Sequence, residues 1–320
     1  MRKTWPNFSP SGEQVTLQAA ATRSGSGGIG GATLIFAAAG KDLNPWGLAV
    51  DANNVYFTDA ASPNGKVVRV PLDGSPASEM AIGQDLPSAI AVDATDAYFT
   101  TIYAVKKVPL VGGPAVKLST AVDAGYAGLV LDSSNVYWTN YTNPGSTMFL
   151  PKAGGSATTV DSGDKSPSGL IVQGGSIYWA VLTDNVIKTA PIAGGAATVF
   201  ASGQKAPRSG IAADATNLYW ITEGDFPNHL VKAPLAGGPP ALVAVPPGDA
   251  STPQSLVVDA THAYFINPST SGCGVAKVEL ATGAVATIPL GRSIGCPTNL
   301  AADAANLYYT SSAGITKLPK

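Results

Sequence analysis

GIAADATNLYWIT, residues 210–222, reads as two strands and the turn that joins them. Small and branched apolar residues run up to Asp214, whose carboxylate is suited to accept backbone N–H groups across a tight turn. Beyond the turn, Tyr219 and Trp220 form an aromatic pair, and the two-residue period of a strand sends one ring to each face of the sheet. The unit recurs as GLAVDANNVYFTD (47–59), AIAVDATDAYFTT (89–101), GLVLDSSNVYWTN (128–140), GLIVQGGSIYWAV (169–181), SLVVDATHAYFIN (255–267) and NLAADAANLYYTS (299–311). The leading tyrosines, Tyr56, Tyr98, Tyr137, Tyr178, Tyr219, Tyr264 and Tyr308, are spaced by 42, 39, 41, 41, 45 and 44 residues. That period suits a four-stranded propeller blade and exceeds that of most helical or leucine-rich solenoids.

Each unit predicts four strands. The inner strand ends at the Asp, the second carries the aromatic pair, the third has the pattern of VVRVPL (67–72) or LVKAPL (230–235), and the fourth follows a Gly-Gly turn, as in ATVFASG (197–203). The turns at Gly112-Gly113, Gly154-Gly155, Gly194-Gly195 and Gly237-Gly238 call for positive φ. The last repeat stops after a third strand at Leu318, while GGATLIFAAAGKDLNP (30–45) resembles GGAATVFASGQKAP (194–207). The predicted fold is therefore all-β, a seven-bladed propeller whose N-terminal strand completes the last blade. Residues 1–31 form an arm and linker, and 32–320 form the propeller, with blade 7 shared between 32–38 and 296–320. The arm ends in SGSGGIGG (24–31), a tether composition, although Val15 and Leu17 alternate within residues 13–18 as in a strand added to a blade edge.

Composition narrows the function. Charged residues make up 12% of the 320, with 36 Gly and 25 Pro, and the net charge of −2 shows no Lys/Arg cluster of the kind nucleic acid or anionic lipid requires. No apolar run is long enough to span a bilayer. Residues 1–18 carry two basic residues without the apolar stretch of a secretory signal, so such a signal is expected to be absent or removed. Cys273 and Cys296, the only thiols, are predicted in loops of adjacent blades on the same face, which points to a disulfide and an extracellular or periplasmic location.

The DATNLYW centre (214–220) and the VxKVPLxGG-type continuation resemble the NHL/YWTD-like propellers and bacterial secreted propellers, which implies a ligand- or partner-binding role outside the cytoplasm. The fold also resembles that of the virginiamycin B lyase family, seven-bladed and metal-dependent. The His, Glu and His set of that family has no aligned counterpart here, because the second strands carry no aligned His.

The face formed by the entry loops and the loops between second and third strands is where a site is expected. Its axial entry positions are Trp46, Ser88, Ala127, Ser168, Ser209, Gln254 and Thr298, with Arg208 beside them. An aromatic ring among small polar groups suits a carbohydrate or small polar ligand; a water-filled channel lined by small residues is the plainer reading. Glu223, Asp225 and His229 have the chemistry of divalent-metal ligands, yet one short loop supplies all three, as a solvated charged loop would. His262 is expected at the opposite face. The repeated Asp51, Asp93, Asp132, Asp214, Asp259 and Asp303 read as turn residues, not a calcium ring, since the fourth repeat has Gln173. Two His offer no triad, and neither GxSxG nor a phosphate-binding loop occurs. The expected function is binding or scaffolding, with no cofactor, toward a carbohydrate, a small polar ligand or a protein partner. The alternatives are a propeller lyase or hydrolase, and a subunit assembled through its arm.

Overall fold

The computed structural model describes residues 31–37, 43–60, 64–120, 128–222, 228–246, 254–269, 272–290 and 296–320. They form seven four-stranded antiparallel sheets, with no helix among the described residues. No helix is therefore long and apolar enough to cross a membrane among them. Six blades are continuous: 45–84, 90–119, 129–164, 167–201, 207–244 and 254–289, numbered 1 to 6. Blade 7 joins Leu300–Ala302, Asn306–Ser311 and Gly314–Pro319 to Thr33–Ala37, which pairs antiparallel as the outer strand. Thr33 lies opposite Lys317 and Ala37 opposite Gly314, with a bulge between Leu34 and Phe36.

The closure reproduces the turn that joins third and outer strands elsewhere. In blade 4 that turn holds Gly194 and Gly195 at φ of 95° and 143°, conformations open to glycine. Space beside Gly195 ends at the Pro191 ring, 3.4 Å from where a Cβ would sit, and Gly31 stands in the same relation to Pro319 at 3.6 Å. The chain is broken there, but the ladder register is kept, Thr33 opposite Lys317 as Thr198 is opposite Thr189.

Aromatic pairs hold the blades together. Tyr56 packs in the seam with Phe99 of the next blade, Tyr98 with Trp138, Tyr137 with Trp179, and Tyr178 with Trp220. The ring continues through Tyr219 with Phe265, Tyr264 with Tyr309, and Tyr308 with Phe57. Each seam so receives the leading Tyr of one blade and the second ring of its neighbour, and all are buried. Truncating one such ring to Ala costs roughly 3–5 kcal/mol. Toward the axis the inner strands crowd: a Cβ on Gly47 would lie 2.1 Å from the Ser88 carbonyl oxygen of the next blade.

Cys273 and Cys296 form a disulfide with their Cα atoms 5.5 Å apart. Cys273 lies within the third strand of blade 6, Gly272–Glu279, and not in the preceding loop as the repeat pattern suggested. The reason is a longer hairpin: the second strand, His262–Ser269, has 8 residues, so Cys273 pairs with Pro268 in the ladder. The bond fastens blade 6 to the entry of blade 7 and closes a 23-residue separation, a constraint worth about 3 kcal/mol.

The closure geometry predicts a permutant. A chain that begins at Gly113, ends at Gly112, omits residues 1–29 and links Lys320 to Gly30 through Ala-Gly has the turn length of blade 4, where Thr189 pairs with Thr198 as Lys317 pairs with Thr33. It is expected to fold with a melting temperature within about 5 °C of the parent. A molten or insoluble product in circular dichroism and thermal melts would show that the strand register at the seam is wrong.

Candidate functional site

Antiparallel strand order puts the entry loops and the turns between second and third strands at one end of the ring. The Asp turns and the Gly-Gly turns lie at the other. Trp46, Ser88, Ser168 and Thr298 stand at the first end, at or just before the start of their inner strands. Arg208 and Gln254 belong to the inner strands Pro207–Ala213 and Gln254–Val258 at the same end, while their side chains, with that of Ser209, lie outside the described set. Ala127, Glu223 and Asp225 lie outside the described residues.

Trp46 is half-buried and its surroundings fix it from several sides. Its indole N–H donates to Asn44 Oδ1 at 3.0 Å. Its carbonyl accepts from Asn299 Nδ2 at 2.8 Å, and the preceding Pro45 carbonyl accepts from Thr298 Oγ1 at 3.2 Å. Both donors come from blade 7, so the seam that closes the ring also sets the backbone of Trp46. Trp138, Trp179 and Trp220, by contrast, are fully buried.

The hydroxyls around the entry positions are engaged, some within one blade and some across to the next. Thr58 Oγ1 accepts from the Gly47 N–H at 2.8 Å and donates to the Ser88 carbonyl at 2.6 Å. Ser88 Oγ pairs with Thr100 Oγ1 at 2.7 Å, Thr298 Oγ1 with Thr310 Oγ1 at 2.9 Å, and Ser168 is buried. Buried threonines follow the aromatic pair in blades 7, 1, 2 and 3, namely Thr310, Thr58, Thr100 and Thr139; Thr58 bonds across to blade 2, while the other three accept from the entry backbone of their own blade. Blades 4, 5 and 6 carry Ala180, Ile221 and Ile266 at the same position. The position after the aromatic pair is therefore a hydroxyl on one arc of the ring and an apolar group on the other, all of them buried. Sequence reasoning missed this division, although aligning the position after the aromatic pair would have exposed it.

The histidines fall at opposite ends. His229 opens a third strand at the entry-loop end, and His262 opens a second strand at the Asp-turn end, where its Nδ1 lies 2.8 Å from Thr261 Oγ1. Among the described residues no group of three or more His, Cys, Asp or Glu is arranged to hold a metal ion. The densest carboxylate pair, Asp161 and Asp164, is occupied by Lys188, and Asp164 also accepts the Trp179 indole N–H at 2.8 Å.

The repeated Asp residues act as turn acceptors. Asp214 Oδ1 takes the N–H groups of Thr216 and Asn217, both at 2.7 Å, and Oδ2 takes the Tyr219 hydroxyl at 2.7 Å. Asp51, Asp132 and Asp303 make the same set. Blade 4 reaches its turn differently: Gly174 and Gly175, at φ of 58° and 79°, follow Gln173 and form a two-residue hairpin loop that needs no carboxylate. In two seams a lysine of the next blade joins the Asp, Lys152 at 2.9 Å from Asp93 and Lys320 at 3.0 Å from Asp259.

No protein-family model matches the chain, and no curated protein matches its sequence. Solved structures do match. A catalytically inactive virginiamycin B lyase from Staphylococcus aureus with quinupristin superposes with a TM-score of 0.76 at 14% identity, covering 89% of this chain and 98% of that one. What the two share is the propeller. The WD40 β-propeller domain of Doa1 follows at 0.69 and 13% identity, covering 91% and 97%, and a nidogen/laminin complex at 0.55 and 19%, covering 73% and 93%. At these identities the likeness extends to fold alone.

The turn geometry sets a pH dependence. Burial pushes the Asp214 carboxyl up, but the Tyr219 hydroxyl and the two turn N–H groups outweigh it and hold it down at about 2. Asp93 and Asp259 are lowered further, burial again being outweighed by turn N–H groups and the lysine. Burial, then the hydrogen bond and charge of Asp132, push Tyr137 up to about 12. A lowered carboxyl stabilises the fold above its unfolded value near 4 and loses that contribution as pH falls through the folded value. A raised phenol stabilises below about 10 and loses its contribution as pH rises through about 12. Thermal melts should therefore be flat from about pH 5 to 9, falling below about 4 and above about 10. An acid midpoint at pH 5 to 6 would assign the transition to other groups.

Proposed function

We propose that the chain is an extracytoplasmic binding module that holds a sugar or similar small polar ring at the mouth of its channel, stacked on Trp46. The observation that carries this reading is the half-buried indole at the entry-loop end, its N–H bonded to Asn44 and its carbonyl to Asn299. A ring fixed before binding loses little freedom when a ligand stacks on it. The disulfide supports an oxidising compartment. The test is a glycan array followed by titration of the best binder. Trp46→Ala is expected to weaken binding at least about tenfold, a loss of about 1.4 kcal/mol, and Trp46→Phe to recover part of it. An array with no binder, or an affinity that Trp46→Ala leaves unchanged, would count against the reading.

A second reading, a protein partner, is favoured by one corner of the same face. Ile82 and Tyr103 are 64% and 65% exposed, and Leu86 is 39% exposed between them in sequence. Gln84 ties the corner together, donating to the Ile82 carbonyl at 2.6 Å and accepting from Lys106 at 2.8 Å, while the Ile102 N–H donates to the Asp85 carbonyl. The other blades supply an internal control. Ser162 and Ser202 occupy the place of Ile82 before a glycine of positive φ, and Ser166 and Ala206 share the left-handed backbone of Leu86, with φ of 62° and 41° against 44°. The backbone accepts small residues there, so the apolar side chains are not demanded by the fold. Combining Ile82→Ser, Leu86→Ser and Tyr103→Ser should leave the melting temperature nearly unchanged and abolish co-purification of a partner from the native source. A clear loss of stability would return these residues to a structural role.

A further inference from the structure

Blade 7 is the one blade whose third and outer strands are not joined by chain: one ends at Pro319, and the other is entered through Gly31. Beside this break a groove of about 330 Å³ runs between blades 7 and 1, lined on one side by Leu34, Ile35 and Phe36 and on the other by Val70, Leu72 and Ala77. Gly31 itself lines it. Thr33–Ala37 is the outermost described strand of its sheet, and its residues 33–36 line the groove together with Lys317, Asp73 and Ser75, Leu34 being 38% exposed. An apolar edge of this kind is a template for another strand.

The chain contains a segment suited to it. Thirty residues precede Gly31, and within EQVTLQ (13–18) Val15 and Leu17 fall on one face of an extended strand. The twelve residues between Gln18 and Gly31 include SGSGG (24–28), and a flexible chain of that length reaches about 20 Å. A five-residue strand is about 17 Å long, so the segment can turn back along the whole of Thr33–Ala37.

We propose that residues 13–18 of the same chain pair along the free edge of Thr33–Ala37 as a fifth strand of blade 7 and place Val15 and Leu17 in the groove. The arm then latches the strand that closes the ring, and it does so at the periphery of the blade 7–blade 1 seam whose axial end positions Trp46.

Amide hydrogen exchange of the full chain tests this. Protection of Thr33–Ala37 should fall at least tenfold in a chain that starts at Ser24, and equally in the full chain carrying Val15→Asp and Leu17→Asp. The double substitution keeps the linker, so it decides the matter if the shortened chain folds poorly. Protection unchanged in the double variant overturns the proposal. A Leu17→Cys, Leu34→Cys pair should cross-link under mild oxidation at monomer mass. A cross-link at dimer mass, or none, overturns it, the former by showing an arm exchanged between copies.

Discussion

Every blade of this protein depends on one pair of rings pointing in opposite directions. A strand has two faces, and a blade has a neighbour on each. The second strand, with Tyr on one face and Phe, Trp or Tyr on the other, serves both seams at once. The Asp turn is the other half of the device. It begins the second strand at a fixed residue, and by accepting the Tyr hydroxyl it fixes where the leading ring lies. Register, turn and seam are thus set by the same few side chains, which is why the repeat is so visible.

That dependence explains what could be read from the sequence. The period of the tyrosines, the Gly-Gly turns and the match of 30–45 to 194–207 are local patterns tied to backbone conformation, and they predicted the strand Thr33–Ala37 to the residue. The Asp positions were correctly read as turn residues because Gln173 breaks their series, and the structure supplies the reason in Gly174 and Gly175. Cys273 was misplaced by a hairpin extension, since nothing in NPSTSGCG (267–274) marks where the ladder stops. A ladder ends where its turn forms, and several turn residues were available.

The candidate site was legible only in position. Sequence could place Trp46, Ser88 and Thr298 at the channel mouth, because they hold one register of the repeat. It could not show that these hydroxyls are already engaged, Ser88 with Thr100 of its own blade and Thr298 with Thr310 and, across the closing seam, the Pro45 carbonyl. A hydroxyl in such use is not displaced cheaply by a ligand, because the partner groups it leaves are partly buried. The Trp46 indole ring is different: its N–H is bonded to Asn44, and its face is what a ligand would use.

The seven repeats are alike but not identical, and the places where the repeat is broken give the ring its asymmetry. The breaks are not scattered. The arc of buried threonines runs through blades 7, 1, 2 and 3, and Trp46 lies within it on blade 1. The apolar corner of Ile82, Leu86 and Tyr103 spans blades 1 and 2, and the chain break lies between blades 7 and 1. At the equivalents of Ile82, blades 3 and 4 carry Ser162 and Ser202, while blade 5 carries Val245, 40% exposed. Closing a ring from two chain ends requires one seam that no peptide bond crosses. At that seam Thr298 and Asn299 of the last blade bond the backbone of Pro45 and Trp46 in the first. The hydrogen bonds that close the fold therefore also fix the backbone at Trp46, while the indole N–H is held by Asn44, two residues away in sequence.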